Sequence, residues 1–282
     1  AGPAAAAEAK RRAPDAEVIL FEQGPHVSVG TCEMPYRIGG VVHDDLQVYT
    51  PATLAAKKGI TVHTRHRVTA LDPKGSLTVH ALDFDATREV RFDRAILATG
   101  ARARTLPGDA PAGVFTVRDL VDTEAIERWL ATEPVRHVVV VGGGYIGLEM
   151  AEAMRARGLR ASILDPSGRV LNATVACEAS DLMQRAVRAA GVAVRAERAT
   201  DLLADDAGRV RAVRTDLGEL IGCQMVVVSI GIEPRTELAT AAGIKLGPMG
   251  GIAVDDQMRT SARRVYACGD AVEIPRAPDG KR

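Results

Sequence analysis

The chain has 282 residues, 46% of them hydrophobic, with 36 basic and 36 acidic side chains. That length allows about two domains with substantial cores, and the balanced charge leaves no global field to draw in nucleic acid or an anionic membrane. No apolar run approaches the roughly 18 residues of a membrane span and no signal-peptide pattern opens the chain, so a soluble, cytoplasmic protein acting on small molecules is expected.

Ala1-Gly2-Pro3-Ala4-Ala5 runs straight into an alanine-rich helix to about Arg12, and Glu17 to Phe21 then reads as a strand ending in Glu22. Glycine turn, helix, strand and acid form the second half of a dinucleotide-binding unit. Gly2 would be the middle glycine of a motif whose first glycine and first strand are missing, with Ala5 where the third would stand. There is also no initiator methionine, so the sequence reads as truncated at its N-terminus.

Directly after that acid comes SVGTCEMPYRIGG, residues 28–40, with Cys32 in a glycine-flanked setting. Val68 follows in RHRVTALD, and Leu97-Ala98-Thr99-Gly100 follows Asp93-Arg94-Ala95-Ile96.

The stretch from His137 to Asp165 carries the most specific signal. Val138 to Val141 form a wholly apolar β-branched run, as expected of a parallel strand buried on both faces. Gly142, Gly144 and Gly147 fit G-x-G-x-x-G around Tyr145 and Ile146. Such glycines let the backbone turn tightly, approach a pyrophosphate and pack the next helix on the strand. That helix is expected from about Tyr145 to Arg157, ending at Gly158, with its N-terminus offering free N–H groups and a partial positive charge to phosphates. A second strand, Ala161 to Leu164, ends in Asp165, 23 residues after Gly142, where an acid takes the ribose hydroxyls. A carboxylate there repels a 2′-phosphate, and Pro166, Ser167 and Gly168 offer no cation. NADH is therefore favoured, while nearby Arg169 keeps NADPH open.

Beyond this unit lie Val227 to Pro234 (VVSIGIEP, with Gly231), Gly251 to Asp255, Thr260-Ser261, and Tyr266 to Ala271 (YACGDA, with Gly269, Asp270 and Ala271). Cysteines 32, 177, 223 and 268 show no C-x-x-C pair and no zinc spacing, which suits individual thiols in a reducing compartment. Cys177, Cys223 and Cys268 are expected to be small buried hydrophobes, the six histidines to be surface or strand residues, and no metal site is expected.

In this order the motifs resemble the pyridine nucleotide-disulfide oxidoreductases. The likeness is to their branch with one redox cysteine: coenzyme A disulfide reductases, NADH-dependent persulfide reductases, NADH oxidases and NADH peroxidases. Cys32, Pro35, Tyr36, Gly39 and Gly40 match the cysteine segment; Glu33 departs from the usual glycine, Thr31 often gives way to asparagine, and Arg37 stands where two-cysteine relatives place their second cysteine. The resemblance implies an α/β chain with two Rossmann-like domains, the NADH domain inserted in the FAD domain: FAD-binding residues 1–112, NAD(P)H-binding residues 113–236 and an FAD-domain return at 237–282. It implies FAD contacts at Gly2, Glu22, Val68, Thr99, Gly100, Gly269, Asp270 and Ala271, and nucleotide contacts at Gly142, Gly144, Tyr145, Ile146, Gly147, Asp165 and Gly231. It also implies a tyrosine, Tyr145, that covers the flavin until nicotinamide displaces it. A third domain forming a homodimer interface follows in the family and is expected to be absent here. Cys32 and Tyr145 are the catalytic candidates, with a small disulfide or persulfide, coenzyme A disulfide first, as substrate. An oxidase or peroxidase cycling Cys32 through sulfenic acid and an electron-transfer reductase or inactive fragment with an idle cysteine are the alternatives.

Overall fold

The computed structural model describes residues 1–274; the end of the expected 237–282 return segment lies outside the described residues. The chain divides into two compact units, one comprising Ala1–Val29, Gln47–Arg102 and Glu233–Arg282, the other Gly30–Leu46 and Ala103–Ile232. The second is thus inserted in the first, with crossings at 102/103 and 232/233 beside the sequence-based 112/113 and 236/237. Gly30–Leu46, the Cys32 segment, clusters with the inserted unit, because its short helix packs on helices of that unit.

The inserted unit is built on a five-stranded parallel sheet in the order Ala193–Arg195, Arg160–Leu164, His137–Val141, Met225–Val228, Val114–Phe115. Every residue of the two central strands is buried, as continuous apolar runs require when both faces are covered. Val139, Val141, Leu164, Val226 and Val228 pack on Ala199, Val210, Val213 and Ile221 of an antiparallel meander, Ala199–Ala204, Val210–Thr215 and Leu220–Gly222. Alternation along the strands sends Val138, Val140 and Val227 to the opposite face. The Tyr145–Ala156 helix packs on strands of that sheet and buries Gly147, Met150, Ala151 and Met154, the i, i+3, i+4, i+7 stripe of an amphipathic helix. It stops one residue earlier than its sequence pattern suggests, with Gly158 at φ +76° just beyond.

In the first unit the Gly2–Arg12 helix leads to the strand Ile19–Phe21, which pairs in parallel with Thr61–His63. That strand is shorter than the expected 17–21. Ala95–Leu97 pairs in parallel with Val265–Ala267, and an antiparallel meander occupies His66–Asp72, Ser76–Ala81 and Ala86–Arg91. Its apolar packing centres on Leu97, Ile252, Val265, Ala267 and Ala271, and on Ala6, Val27, Leu54 and Ile60. No helix among the described residues is long and apolar enough to cross a membrane.

Candidate functional site

In the inserted unit the site is the turn between His137–Val141 and Tyr145–Ala156. A Cβ on Gly147 would lie 2.0 Å from the Gly142 carbonyl oxygen and 2.7 Å from Ser229 Oγ. Gly142 itself sits at φ +105°, and a Cβ there would meet the Ser229 carbonyl oxygen at 2.4 Å. Both glycines are enforced by packing. Gly144 differs: it caps the helix in extended conformation, φ −76°, ψ −171°, and a Cβ there would meet nothing within 4 Å. A turn closed on the protein side and open at the helix N-terminus fits a pyrophosphate. Tyr145, 56% exposed, and Ile146 lie on that open side.

Asp165 is tied to the same turn. Its Oδ2 accepts from Gly143 N at 2.9 Å, and its Oδ1 accepts from Ser167 N at 3.0 Å and Ser167 Oγ at 2.5 Å. Leu171 N donates to Gly143 O at 2.7 Å, closing the turn from the following loop. Arg169, the nearby cation, is committed elsewhere: its guanidinium pairs with Asp181 at 2.6 Å and donates to Cys177 O at 2.9 Å, and its Nε is enclosed without a partner. Gly231 is exposed, and its carbonyl accepts from Arg104 N at 3.0 Å.

Cys32 is exposed in the 3₁₀ turn Thr31–Glu33, which runs directly into the helix Met34–Ile38. Met34, Pro35 and Ile38 are buried. Gly39 approaches the Tyr145–Ala156 helix so closely that a Cβ would meet Ala153 Cα at 3.2 Å. Arg37 donates from Nε and Nη2 to the two oxygens of Glu127, each at 3.0 Å, and Arg157 Nε donates to Ile38 O. The Cys32 segment therefore belongs to the same compact body as the glycine turn.

In the first unit, Glu22 follows its strand with Oε1 accepting from Gly24 N at 2.8 Å, and His66 N donates to Glu22 O at 2.9 Å, which ties in the strand bearing Val68. Thr99 and Gly100 leave the Ala95–Leu97 strand; Thr99 Oγ1 donates to Arg235 O at 2.6 Å and Arg235 N to Gly100 O at 2.9 Å. The Gly269–Ala271 turn leaves the partner strand at the same end. A Cβ on Gly269 would meet Ala1 Cβ at 2.6 Å, so the start of the Gly2–Arg12 helix adjoins that turn. A helix N-terminus and two turns at the carboxyl ends of parallel strands form the crevice where open α/β sheets bind nucleotides.

Two of the three remaining cysteines depart little from expectation. Cys223 is fully buried, which pushes its thiol up to about 12, and burial also raises the half-buried Cys268. Cys177 is a correction: it is exposed at the first position of the Cys177–Ala189 helix, ahead of the buried positions Ser180, Gln184 and Val187. Among the described residues no group of three or more His, Cys, Asp or Glu could hold a metal ion. Sequence reasoning misses Ser229, Arg235, Glu127 and Arg157. Ser229 Oγ donates toward the carbonyls of Val141 (3.0 Å) and Gly142 (3.1 Å), and its place at the end of an apolar strand was the one available signal. The others act across long sequence separations with no motif.

Comparison with known proteins gives a consistent picture. The model of the pyridine nucleotide-disulphide oxidoreductase family matches residues 1–280. An NAD(P)H sulfur oxidoreductase (CoA-dependent) from Pyrococcus abyssi is 33% identical over all of this chain, and a coenzyme A disulfide reductase from Staphylococcus aureus is 29% identical over 95% of it. The chain spans 63% and 60% of those relatives' lengths. The structure of an NAD-dependent persulfide reductase from A. fulgidus superimposes with a TM-score of 0.92 at 32% identity, over 99% of this chain and 52% of that one. With a family model matched along 280 of its 282 residues, the chain belongs to the pyridine nucleotide-disulphide oxidoreductases, enzymes that work with FAD and NAD(P)H.

Proposed function

We propose that the protein is an NADH-dependent flavoenzyme that reduces a small disulfide or persulfide, coenzyme A disulfide first, through the single thiol of Cys32. The observation that carries this reading is that exposed Cys32 and the Gly142–Gly147 turn share one compact unit, joined by helix packing. The names of the relatives agree with it. FAD would be held by Gly2, Glu22, Val68, Thr99, Gly100, Gly269, Asp270 and Ala271, and when bound it supplies a two-electron carrier between nicotinamide and sulfur. NADH would be held at Gly142, Gly144, Tyr145, Ile146, Gly147, Asp165 and Gly231, with Tyr145 as a movable cover on the exposed side.

The chemistry at Cys32 balances with one thiol. Its thiolate attacks a disulfide RSSR, forming Cys32–S–S–R and releasing RS⁻, which takes up a proton. Two electrons and a proton, the hydride equivalent of NADH, then cleave Cys32–S–S–R to Cys32 thiolate and RSH. The sum is RSSR + NADH + H⁺ → 2 RSH + NAD⁺. With Arg37 five residues on from Cys32, the oxidised equivalent is stored as a mixed disulfide with the substrate thiol.

Full-length protein is expected to purify with about one FAD per chain. Folded, colourless protein that takes up no FAD on reconstitution would overturn the reading.

NADH is expected to be preferred to NADPH, because Asp165 offers a carboxylate and Arg169 is engaged with Asp181. Asp165→Asn can still accept from Gly143 N while losing the charge, so it should lower the NADH to NADPH ratio of kcat/KM several-fold. Asp165→Ala should narrow the same gap but also loosen the turn, lowering both values. A wild-type NADPH constant ten times the higher, about 1.4 kcal/mol in transition-state binding, would contradict the assignment.

A further inference from the structure

The turn that carries Cys32 is anchored through its backbone. Thr31, Cys32 and Glu33 are all exposed, and the turn's backbone is tied by Glu33 N to Gly30 O at 3.0 Å and Gly30 N to Leu46 O at 2.8 Å. The direction in which the thiol points therefore depends on the helix that continues from it, Met34–Ile38, a little over one turn long. Met34, Pro35 and Ile38 bury its inner face, but apolar contacts are non-directional and tolerate tilting and sliding. Directional restraint comes from hydrogen bonds: Arg157 Nε to Ile38 O at the helix end, and the two-pronged contact of Arg37 with Glu127.

The Arg37–Glu127 pair has the attributes of a device for orientation. Its two parallel bonds, each 3.0 Å, fix the guanidinium plane as well as its position, which a lysine ammonium cannot do. The side chains are 25% and 27% exposed, so the pair is partly shielded from water and salt. Glu127 lies on the Leu120–Thr132 helix, 90 residues away in sequence, so the bond ties the Cys32 element to another part of the unit. Thiol–disulfide exchange needs three sulfurs nearly in line, and a misplacement of about 1 Å costs on the order of 100-fold.

Building on the assignment of Cys32 as the acceptor thiol, we infer that Arg37 and Glu127 are positioning residues that aim Cys32 at its disulfide by fixing the Met34–Ile38 helix against the Leu120–Thr132 helix. They bond to each other, and neither is a group assigned to the nucleotide turn or the reacting sulfur. Their loss should therefore slow sulfur chemistry while leaving hydride entry alone, a split that a general loss of stability does not produce.

The test uses FAD-loaded full-length protein with Arg37→Ala, Arg37→Lys, Glu127→Gln and the exchanged pair Arg37→Glu with Glu127→Arg. Flavin reduction by NADH is followed by stopped flow, and steady-state turnover is measured with coenzyme A disulfide. Arg37→Ala and Glu127→Gln should lower kcat for the disulfide about 10- to 100-fold, with flavin reduction within about twofold of wild type. Arg37→Lys should fall between, since it keeps charge without the fork, and the exchanged pair should recover part of the loss. Unchanged disulfide turnover, or flavin reduction falling in parallel with it, would overturn the inference. Should Arg37→Ala fail to fold, Arg37→Lys and Glu127→Gln decide by the same criteria. Cys32→Ser run alongside separates the two levels: if it keeps disulfide turnover the thiol assignment itself fails, whereas a dead serine variant beside unaffected Arg37 variants removes the positioning role alone.

Discussion

Cys32→Ser is expected to reduce its flavin with NADH at close to the wild-type rate and to lose disulfide turnover by three orders of magnitude or more, about 4 kcal/mol of transition-state stabilisation. The two half-reactions make different demands. Hydride entry needs the nucleotide crevices, and no group assigned to them is altered. Sulfur chemistry needs a nucleophile that can also be displaced, and a serine oxygen cannot form or release the mixed disulfide. Anaerobic titration with NADH gives a second readout: protein isolated in the mixed-disulfide state should release one small-thiol equivalent on first reduction, and the serine variant none. If the serine variant keeps wild-type disulfide reduction, Cys32 is idle and electron transfer to a carrier becomes the better reading. If turnover of peroxide or oxygen alone depends on Cys32, the thiol cycles through sulfenic acid instead. Of the other thiols, Cys223 is fully buried, with its thiol pushed up to about 12, which removes it as a substitute nucleophile. Cys177 is exposed and is the one to replace as a control.

The parts of the site legible in the sequence are those that chain-local chemistry imposes. Val138–Val141, the three glycines and Asp165 could be read directly because a buried parallel strand, a tight turn and a helix cap each demand particular residue types at fixed spacing. The interrupted order of the two units came instead from the family resemblance, through the order of its motifs along the chain. What could not be read is what depends on partners far along the chain. Arg37 looked like a mere absence of a second cysteine, yet it grips Glu127 across 90 residues. Cys32 followed the first unit's acid in sequence, yet the Gly30–Leu46 segment packs with the inserted unit. Cys177 looked apolar by residue type and lies exposed at a helix start. Asp165 was assigned by spacing to a ribose, and the structure adds that the same carboxylate organises the turn through Gly143 N.

Gly147→Ala and Gly144→Ala should separate the structural and ligand-facing halves of that turn. The added methyl of Gly147→Ala would fall 2.0 Å from the Gly142 carbonyl oxygen and 2.7 Å from Ser229 Oγ. Neither backbone nor a hydroxyl already held between two carbonyls can retreat cheaply, so the helix must lift from the sheet. The expected cost is about 3 kcal/mol or more, the upper end for overpacking, with NADH-dependent flavin reduction lost together with stability. Gly144→Ala meets nothing within 4 Å, and its φ of −76° suits an L-residue. Alanine there gains about 0.4–1 kcal/mol by restricting the unfolded chain and loses a similar amount because it caps helices less well than glycine, so stability should stay within about 1 kcal/mol of wild type. Its methyl, however, occupies the open side at the helix N-terminus, where a pyrophosphate would approach the backbone. Affinity for NADH should then fall at least tenfold, about 1.4 kcal/mol, while FAD content is unchanged. Chemical denaturation alongside equilibrium NADH binding to the oxidised, FAD-loaded protein checks both variants. A Gly144→Ala protein that binds NADH as wild type does would move the pyrophosphate away from this turn, and a fully stable Gly147→Ala protein would mean that the contact between helix and strand is looser than the 2.0 Å approach demands.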